Sequence, residues 1–410
     1  MQVSPHDIGS KMQVLARQRG HLTSLAGIAL ALVLACALCL VAPGTAHAAI
    51  NGNDYVGQST VNDRGMNITE APAIESPYGI LVDEDGNVLW ARGQDEHRAM
   101  ASITKTMTAI VALENGDLDE VFTVSPRAAS VGESSAGLVA GQQVTLRDLV
   151  SGLLVHSGND ASMAIAEGIA GGEKEFVQMM NAKAQQMGLV NTQFQNPHGL
   201  DAENHYSSAA DISVIVRYAM QDPTFREIVG MKSCTLNLSG EPKELLTTNA
   251  LLATWDDCIG VKTGFTKKAG RCLVSAAEKD GVRLICVTLN CPDDWNTHAA
   301  LYQRYFALTE SRPLTLEAPI LPVVGGQKAA LQTVLVGQPT YTAIRGREEG
   351  ITVTVYLNRG FCYAPVEAGQ PLGQVVWRRG DHVIGTAVLA TGESIPALES
   401  HRPWWQKLYG

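Results

Sequence analysis

Positive charge is scarce in this sequence. Lysine and arginine number 31 against 41 aspartates and glutamates, a formal net charge of −10, and no basic run occurs beyond the N-terminal segment, which argues against nucleic acid as a partner. Cysteine is scarce as well. Of eight cysteines, Cys36 and Cys39 fall in the first fifty residues; the other six, Cys234, Cys258, Cys272, Cys286, Cys291 and Cys362, are too few for a disulfide scaffold, although an exported chain can form one or two bridges that sequence does not assign. There are no internal repeats and no long low-complexity segment.

What is present begins with a targeting signal. Lys11, Arg17 and Arg19 precede an uncharged apolar run from about Leu25 to Val41, and "GTAHAA" follows with small residues at Ala46 and Ala48, the layout of a secretory signal peptide cut after Ala48. The apolar core, about 17 residues, is short of the roughly 20 a membrane-spanning helix needs. A lipid anchor on Cys36 fits poorly because Leu34 does not suit the lipidation box. The working part is therefore expected outside the cytoplasm, in the cell wall or at the outer face of the membrane.

Removing 48 of the 410 residues leaves 362, which suggests two domains. Residues 49–70 are polar, without period, and read as a leader. Residues 71–312 carry a first domain: "YGILVDEDGNVLWAR" is a β-hairpin turning at Glu84–Asn87, residues from about 145 to 230 are helical, with "SAADISVIVRYAMQDP" closed by Pro223, and "RCLVSAAEKDGVRLICVTLN" is a second hairpin turning at Lys279–Gly281. Strands thus flank a helical block, and the expected class is α/β in the α+β sense, an antiparallel sheet flanked by helices. Residues 313–392 read as a small all-β domain, with runs such as "GITVTVYL". Residues 393–410 form a tail in which Trp404, Trp405, Leu408 and Tyr409 gather, a candidate for peripheral contact with a membrane interface.

Three short patterns carry the chemistry. In "ASITK", Ser102 and Lys105 are three apart and share a helix face. A serine hydroxyl is a weak nucleophile, and a lysine whose pKa is lowered by burial or by another cation can serve as its base. In "HSGND", Ser157 and Asn159 end an apolar run; in "GVKTGFT", Lys262, Thr263 and Gly264 suit an edge strand that receives an extended peptide, the cation and hydroxyl taking its carboxylate. Each has an ordinary structural explanation alone, as a helix cap or a strand start. The ordered trio Ser-x-x-Lys, Ser-x-Asn, Lys-Thr-Gly is known for β-lactamases and penicillin-binding proteins.

"ASITK", "HSGND", "NPHGLDAENHYSSAADI" and "GVKTGFTKKAG" together resemble the low-molecular-mass penicillin-binding proteins, the serine-type D-alanyl-D-alanine carboxypeptidases. The likeness spans about residues 71–310, with a weaker one to the family's second domain up to about 390. It implies a β-lactamase/transpeptidase-like fold, Ser102 as the acylated nucleophile, Lys105 as its base, Ser157 and Asn159 as proton relay and substrate holder, and Lys262 and Thr263 on the terminal carboxylate. Backbone N–H groups of Ser102 and Phe265 would form the oxyanion hole. Phe265 stands where some members carry histidine. The implied substrate is the peptidoglycan stem pentapeptide, β-lactams are the implied inhibitors, and no cofactor or metal is implied.

Three alternatives stay open. A class A β-lactamase needs a deacylating carboxylate, found in that family in Glu-x-x-Leu-Asn; here the only Leu-Asn between the second and third motifs is Leu236–Asn237, with Ser233 at the glutamate's place. His198, Asp201, Glu203 and His205 could be a zinc cluster, although they lack helical His-x-x-x-His spacing. A non-catalytic wall-binding protein is the third.

Overall fold

The computed structural model describes residue 74 and residues 76–347 and 350–398. The signal peptide, the leader and residues 399–410 of the tail lie outside the described residues.

Chain alternation builds the central sheet. Strands β1 (Tyr78–Asp83) and β2 (Val88–Arg92) pair as the expected hairpin, Gly86 turning at φ +86° while Asp83 accepts from the backbone and side chain of Asn87. Near the far end of this part, β7 (Cys258–Thr266), β8 (Gly270–Lys279) and β9 (Val282–Leu289) complete a five-stranded antiparallel sheet in the order β2-β1-β9-β8-β7. Strand β8 runs through Lys279, so the turn is Asp280–Gly281 alone, both with positive φ, as a two-residue hairpin turn requires.

Alternate residues serve opposite faces, so both sides of this sheet are covered. Ile80, Val82, Val274, Ala276, Ile285 and Val287 face the helical block. Leu81, Ala277, Leu284 and Cys286 face helix α7 (Asp294–Leu308), against its Leu301, Tyr302, Tyr305 and Phe306.

The helical block is α1 (Lys105–Asn115), α2 (Leu146–Val155), α3 (Asn159–Ala170), α4 (Glu173–Gln186), α5 (Ala209–Ala219) and α6 (Pro223–Val229). Two features depart from the sequence reading. Pro223 does more than end α5: it opens α6 at the first helical position, capped by Asp222, whose side chain accepts from Phe225 N, because a helix start has no use for the N–H that proline lacks. Two small hairpins also appear in stretches to which the sequence reading gave no strand: β3 (Val121–Thr123) pairs with β4 (Gln143–Thr145) between α1 and α2, and β5 (Ser233–Leu238) with β6 (Glu241–Leu246) after α6. Strand β5 alternates strictly between exposed and buried, a period-2 signal in plain view.

The β-rich C-terminal part opens with β10 (Thr309–Pro313), so the texture change at Arg312 falls inside a strand. β10 pairs with β13 (Thr340–Ile344). The main sheet has the order β14-β16-β17-β12-β11-β15, made of β11 (Ile320–Val324), β12 (Ala330–Val336), β14 (Ile351–Leu357), β15 (Cys362–Tyr363), β16 (Pro371–Arg379) and β17 (His382–Thr391). Its core centres on the buried Trp377, with Leu314, Tyr341, Val375 and Leu389. Ile344 packs into the α7 cluster, and Arg345 N donates to Leu308 O at 2.9 Å. All six described cysteines are free thiols.

Candidate active site

Ser102 sits on a 3-10 turn, Ala101–Thr104, that leads into α1. The expectation was an α-helical face; a 3-10 turn has three residues per turn and aligns positions i and i+3 more closely still. Lys105 Nζ lies 2.8 Å from Ser102 Oγ. The turn is held in an unusual shape, with Ala101 at φ +49°. A chain of hydrogen bonds fixes it. Gln195 N donates to His205 Nδ1 at 2.9 Å, so the ring proton is on Nε2, which meets Thr104 Oγ1 at 2.8 Å; Thr104 in turn donates to Ala101 O at 2.8 Å. Burial holds the His205 pKa down at about 4, so the ring is neutral.

Lys105 is wholly buried. Its amine contacts Asn159 Oδ1 and His198 O, each at 2.6 Å. Both partners are carbonyl-type oxygens and accept only. A neutral amine has two N–H bonds and one lone pair; with both N–H bonds given to those oxygens, the lone pair is left facing the Ser102 hydroxyl. Burial, then the nearby Lys262 charge, pushes the Lys105 pKa well below its usual value, against the opposing pull of Asp160 and Glu133. The shift is toward the neutral amine.

Asn159 begins α3 and anchors the loop before β4: its Nδ2 donates to Gly132 O and its N to Ser134 O, both at 2.8 Å. Sequence reasoning missed the next residue. Asp160 is fully buried and accepts from Ala136 N, Leu138 N, Ala161 N and Ser135 Oγ, so its carboxylate shapes the loop that Asn159 holds. Its place in "HSGND", where loops and caps favour short acids, was the available signal. Ser157 is buried at φ +67°, and its hydroxyl has no hydrogen-bond partner among the described residues.

Strand β7 is the sheet edge, as its triplet suggested. Lys262 points inward, fully buried, donates to Thr263 O at 2.9 Å, and burial lowers its pKa to about 7. Thr263 Oγ1 meets Thr248 Oγ1 at 2.7 Å. Gly264 lets β7 approach the nucleophile turn: a Cβ there would lie 3.0 Å from Met100 O and 3.1 Å from Ser102 N. Phe265 is 64% exposed on the outer rim. The structure thus gathers Ser102, Lys105 and Asn159 by direct hydrogen bonds and brings Lys262 close enough to act on Lys105.

The "NPHGL" segment does more than its polar residues suggest. His198 contributes its carbonyl to Lys105, while its ring accepts from Leu200 N and, with a pKa near 3 through burial, is neutral, so its 3.8 Å approach to Glu173 is no ion pair. Gly199, at φ +90°, packs against the turn so tightly that a Cβ would stand 2.0 Å from Ala101 O. Asp201 accepts from Thr266 Oγ1 at 2.9 Å, and no group of three metal-ligating side chains occurs among the described residues. Ser233 and Leu236–Asn237 lie on β5, in a hairpin packed on α2.

The sequence profile of the D-alanyl-D-alanine carboxypeptidase family, peptidase S11, matches residues 66–293. The chain belongs to this family. Similar D-alanyl-D-alanine carboxypeptidases include DacF of Bacillus subtilis (strain 168), 32% identical and spanning 80% of this chain and 87% of that one. DacA of Escherichia coli (strain K12) is 30% identical over 89% and 92%. The crystal structure of penicillin binding protein 5 from Haemophilus influenzae aligns with a TM-score of 0.60 and 31% identity, covering 80% of this chain and 99% of that one. The D-alanyl-D-alanine carboxypeptidase fold therefore extends through the C-terminal β domain.

Proposed function

We propose that this protein is a serine DD-carboxypeptidase that removes the terminal D-alanine from peptidoglycan stem pentapeptides and is acylated by penicillin. The observation that carries the site assignment is the Lys105 amine, its N–H bonds directed to Asn159 Oδ1 and His198 O and its nitrogen 2.8 Å from Ser102 Oγ. Lys105 takes the Ser102 proton as Oγ attacks the penultimate carbonyl. The oxygen's developing charge is received by the Ser102 and Phe265 N–H groups. The C–N bond then breaks, the proton passes to the leaving amine with Ser157 as relay, and D-alanine departs with its carboxylate released from Lys262 and Thr263. Water attacks the acyl-enzyme by the reverse proton path.

Benzylpenicillin tests the assignment. Incubation, digestion and mass mapping should place the adduct on the peptide carrying Ser102, with none in Ser102→Ala. Rapid penicillin hydrolysis with no adduct would point instead to a β-lactamase.

The lysines set a pH profile. Lys262 must be charged to hold a carboxylate, and its pKa in the free enzyme is about 7, so kcat/KM should fall as pH rises through about 7. Lys105 must be neutral, so the acid limb rises through its depressed pKa. Arginine stays charged, and Lys262→Arg is expected to shift the alkaline limb upward; an unmoved limb would remove Lys262 from carboxylate binding.

Residues 71–312 are assigned to catalysis and 313–392 to the small β domain. Export rests on the charge and apolar pattern of residues 1–48. For the tail, Trp404, Trp405 and Tyr409 with Arg402 and Lys407 favour peripheral membrane contact. Equal liposome flotation of the mature chain with and without residues 396–410 would defeat that idea.

A further inference from the structure

Resting on the carboxypeptidase reading, we infer that Lys267 and Lys268 select substrates with an anionic group on the third or fourth residue from the C-terminus. The order of groups on β7 sets the direction of the bound peptide. Its terminal carboxylate lies at Lys262 and Thr263, and its scissile carbonyl lies between Ser102 and Phe265, so the upstream residues run past Phe265 toward the turn at residues 267–269. A strand rises about 3.3 Å per residue. Thr263 to the end of the strand at Thr266 is thus about 10 Å, the span of about three extended substrate residues, and Lys267 and Lys268 follow in the turn.

Both lysines at that turn are exposed. Neither has an ion-pair partner among the described residues, on a chain whose acids outnumber its lysines and arginines. Next to them in the chain, Thr266 Oγ1 donates to Asp201. Lys268 lies close enough to His205, on the nucleophile turn's hydrogen-bond chain, for its charge to lower that ring's pKa. Two exposed cations without an ion-pair partner among the described residues therefore stand at the upstream end of β7, where a carboxylate on the peptide would pair with them.

The test is D-alanine release from acylated peptides ending in D-alanyl-D-alanine, in matched pairs with a free or an amidated carboxylate at the third residue or at the fourth. The wild-type enzyme should favour the free acid by about threefold to tenfold in kcat/KM, mostly through KM, the range that one or two exposed ion pairs provide. The preferred pair identifies which residue carries the anion. Added salt should shrink the preference. Lys267→Gln with Lys268→Gln should bring the ratio near one, and Lys267→Arg with Lys268→Arg should keep it. A wild-type ratio near one for both pairs, or one that survives the glutamine exchange, overturns the inference alone. No release from any peptide overturns the carboxypeptidase reading along with it.

Discussion

Lys105→Arg is expected to slow acylation of Ser102 by about 10²- to 10⁴-fold, the usual worth of a positioned general base. Arginine can still donate to Asn159 Oδ1 and His198 O, but it is permanently charged, has no lone pair to offer and does not deprotonate in proteins. The effect separates two roles that the geometry alone leaves joined, holding Asn159 and accepting a proton. Stopped-flow acylation by a chromogenic β-lactam measures it, with a thermal melt to establish that the larger side chain has not unfolded the pocket. A folded variant that acylates within about threefold of wild type would require another base.

Gly199→Ala should cost about 10²-fold or more in acylation without replacing any reacting side chain. The added methyl would meet Ala101 O at 2.0 Å, Ala101 C at 2.5 Å and Ser102 N at 3.0 Å, so the nucleophile turn must move. One misplaced oxyanion donor alone carries a penalty of about 10²- to 10³-fold. The φ of +90° adds strain of its own, and a control separates the two causes. Gly141 has φ +88° and open space around its missing side chain, so Gly141→Ala should lower the melting temperature by a few degrees and leave the acylation rate unchanged. Near-normal acylation in Gly199→Ala would mean that the turn tolerates displacement.

Much of this arrangement was legible in the residues, and the rest failed to show for physical reasons. The hairpins announced themselves through turn residues and alternation, and the Lys-Thr-Gly strand proved to be the edge. Ser102 and Lys105 met because they are close in the chain. Lys105's other partner was invisible because it is a backbone carbonyl: His198 reads as a side chain to be explained, whereas its main-chain oxygen is what reaches the amine. Gly199 was passed over for the same reason, since its role lies in a side chain it lacks. Asp160 stood beside a residue already singled out, yet its partners are the amides of a loop more than twenty residues upstream. The hairpin of β5 and β6 was missed because it falls between the end of the helical stretch near residue 230 and the Lys-Thr-Gly strand, and only β5 of its two strands alternates cleanly.

Strand β7 has a cost that lies outside catalysis. A sheet edge kept bare for a peptide is bare to any extended chain, including another molecule of the same protein, and unpaired edges are where folded proteins begin to aggregate. The pairing of β7 with β8 is irregular at Cys258–Gly260, and the exposed Lys267 and Lys268 follow its other end. Colloidal behaviour is thereby coupled to the recognition groove. Lys267→Gln with Lys268→Gln is therefore expected to raise aggregation, measured by light scattering, and a substrate peptide that covers the edge is expected to lower it.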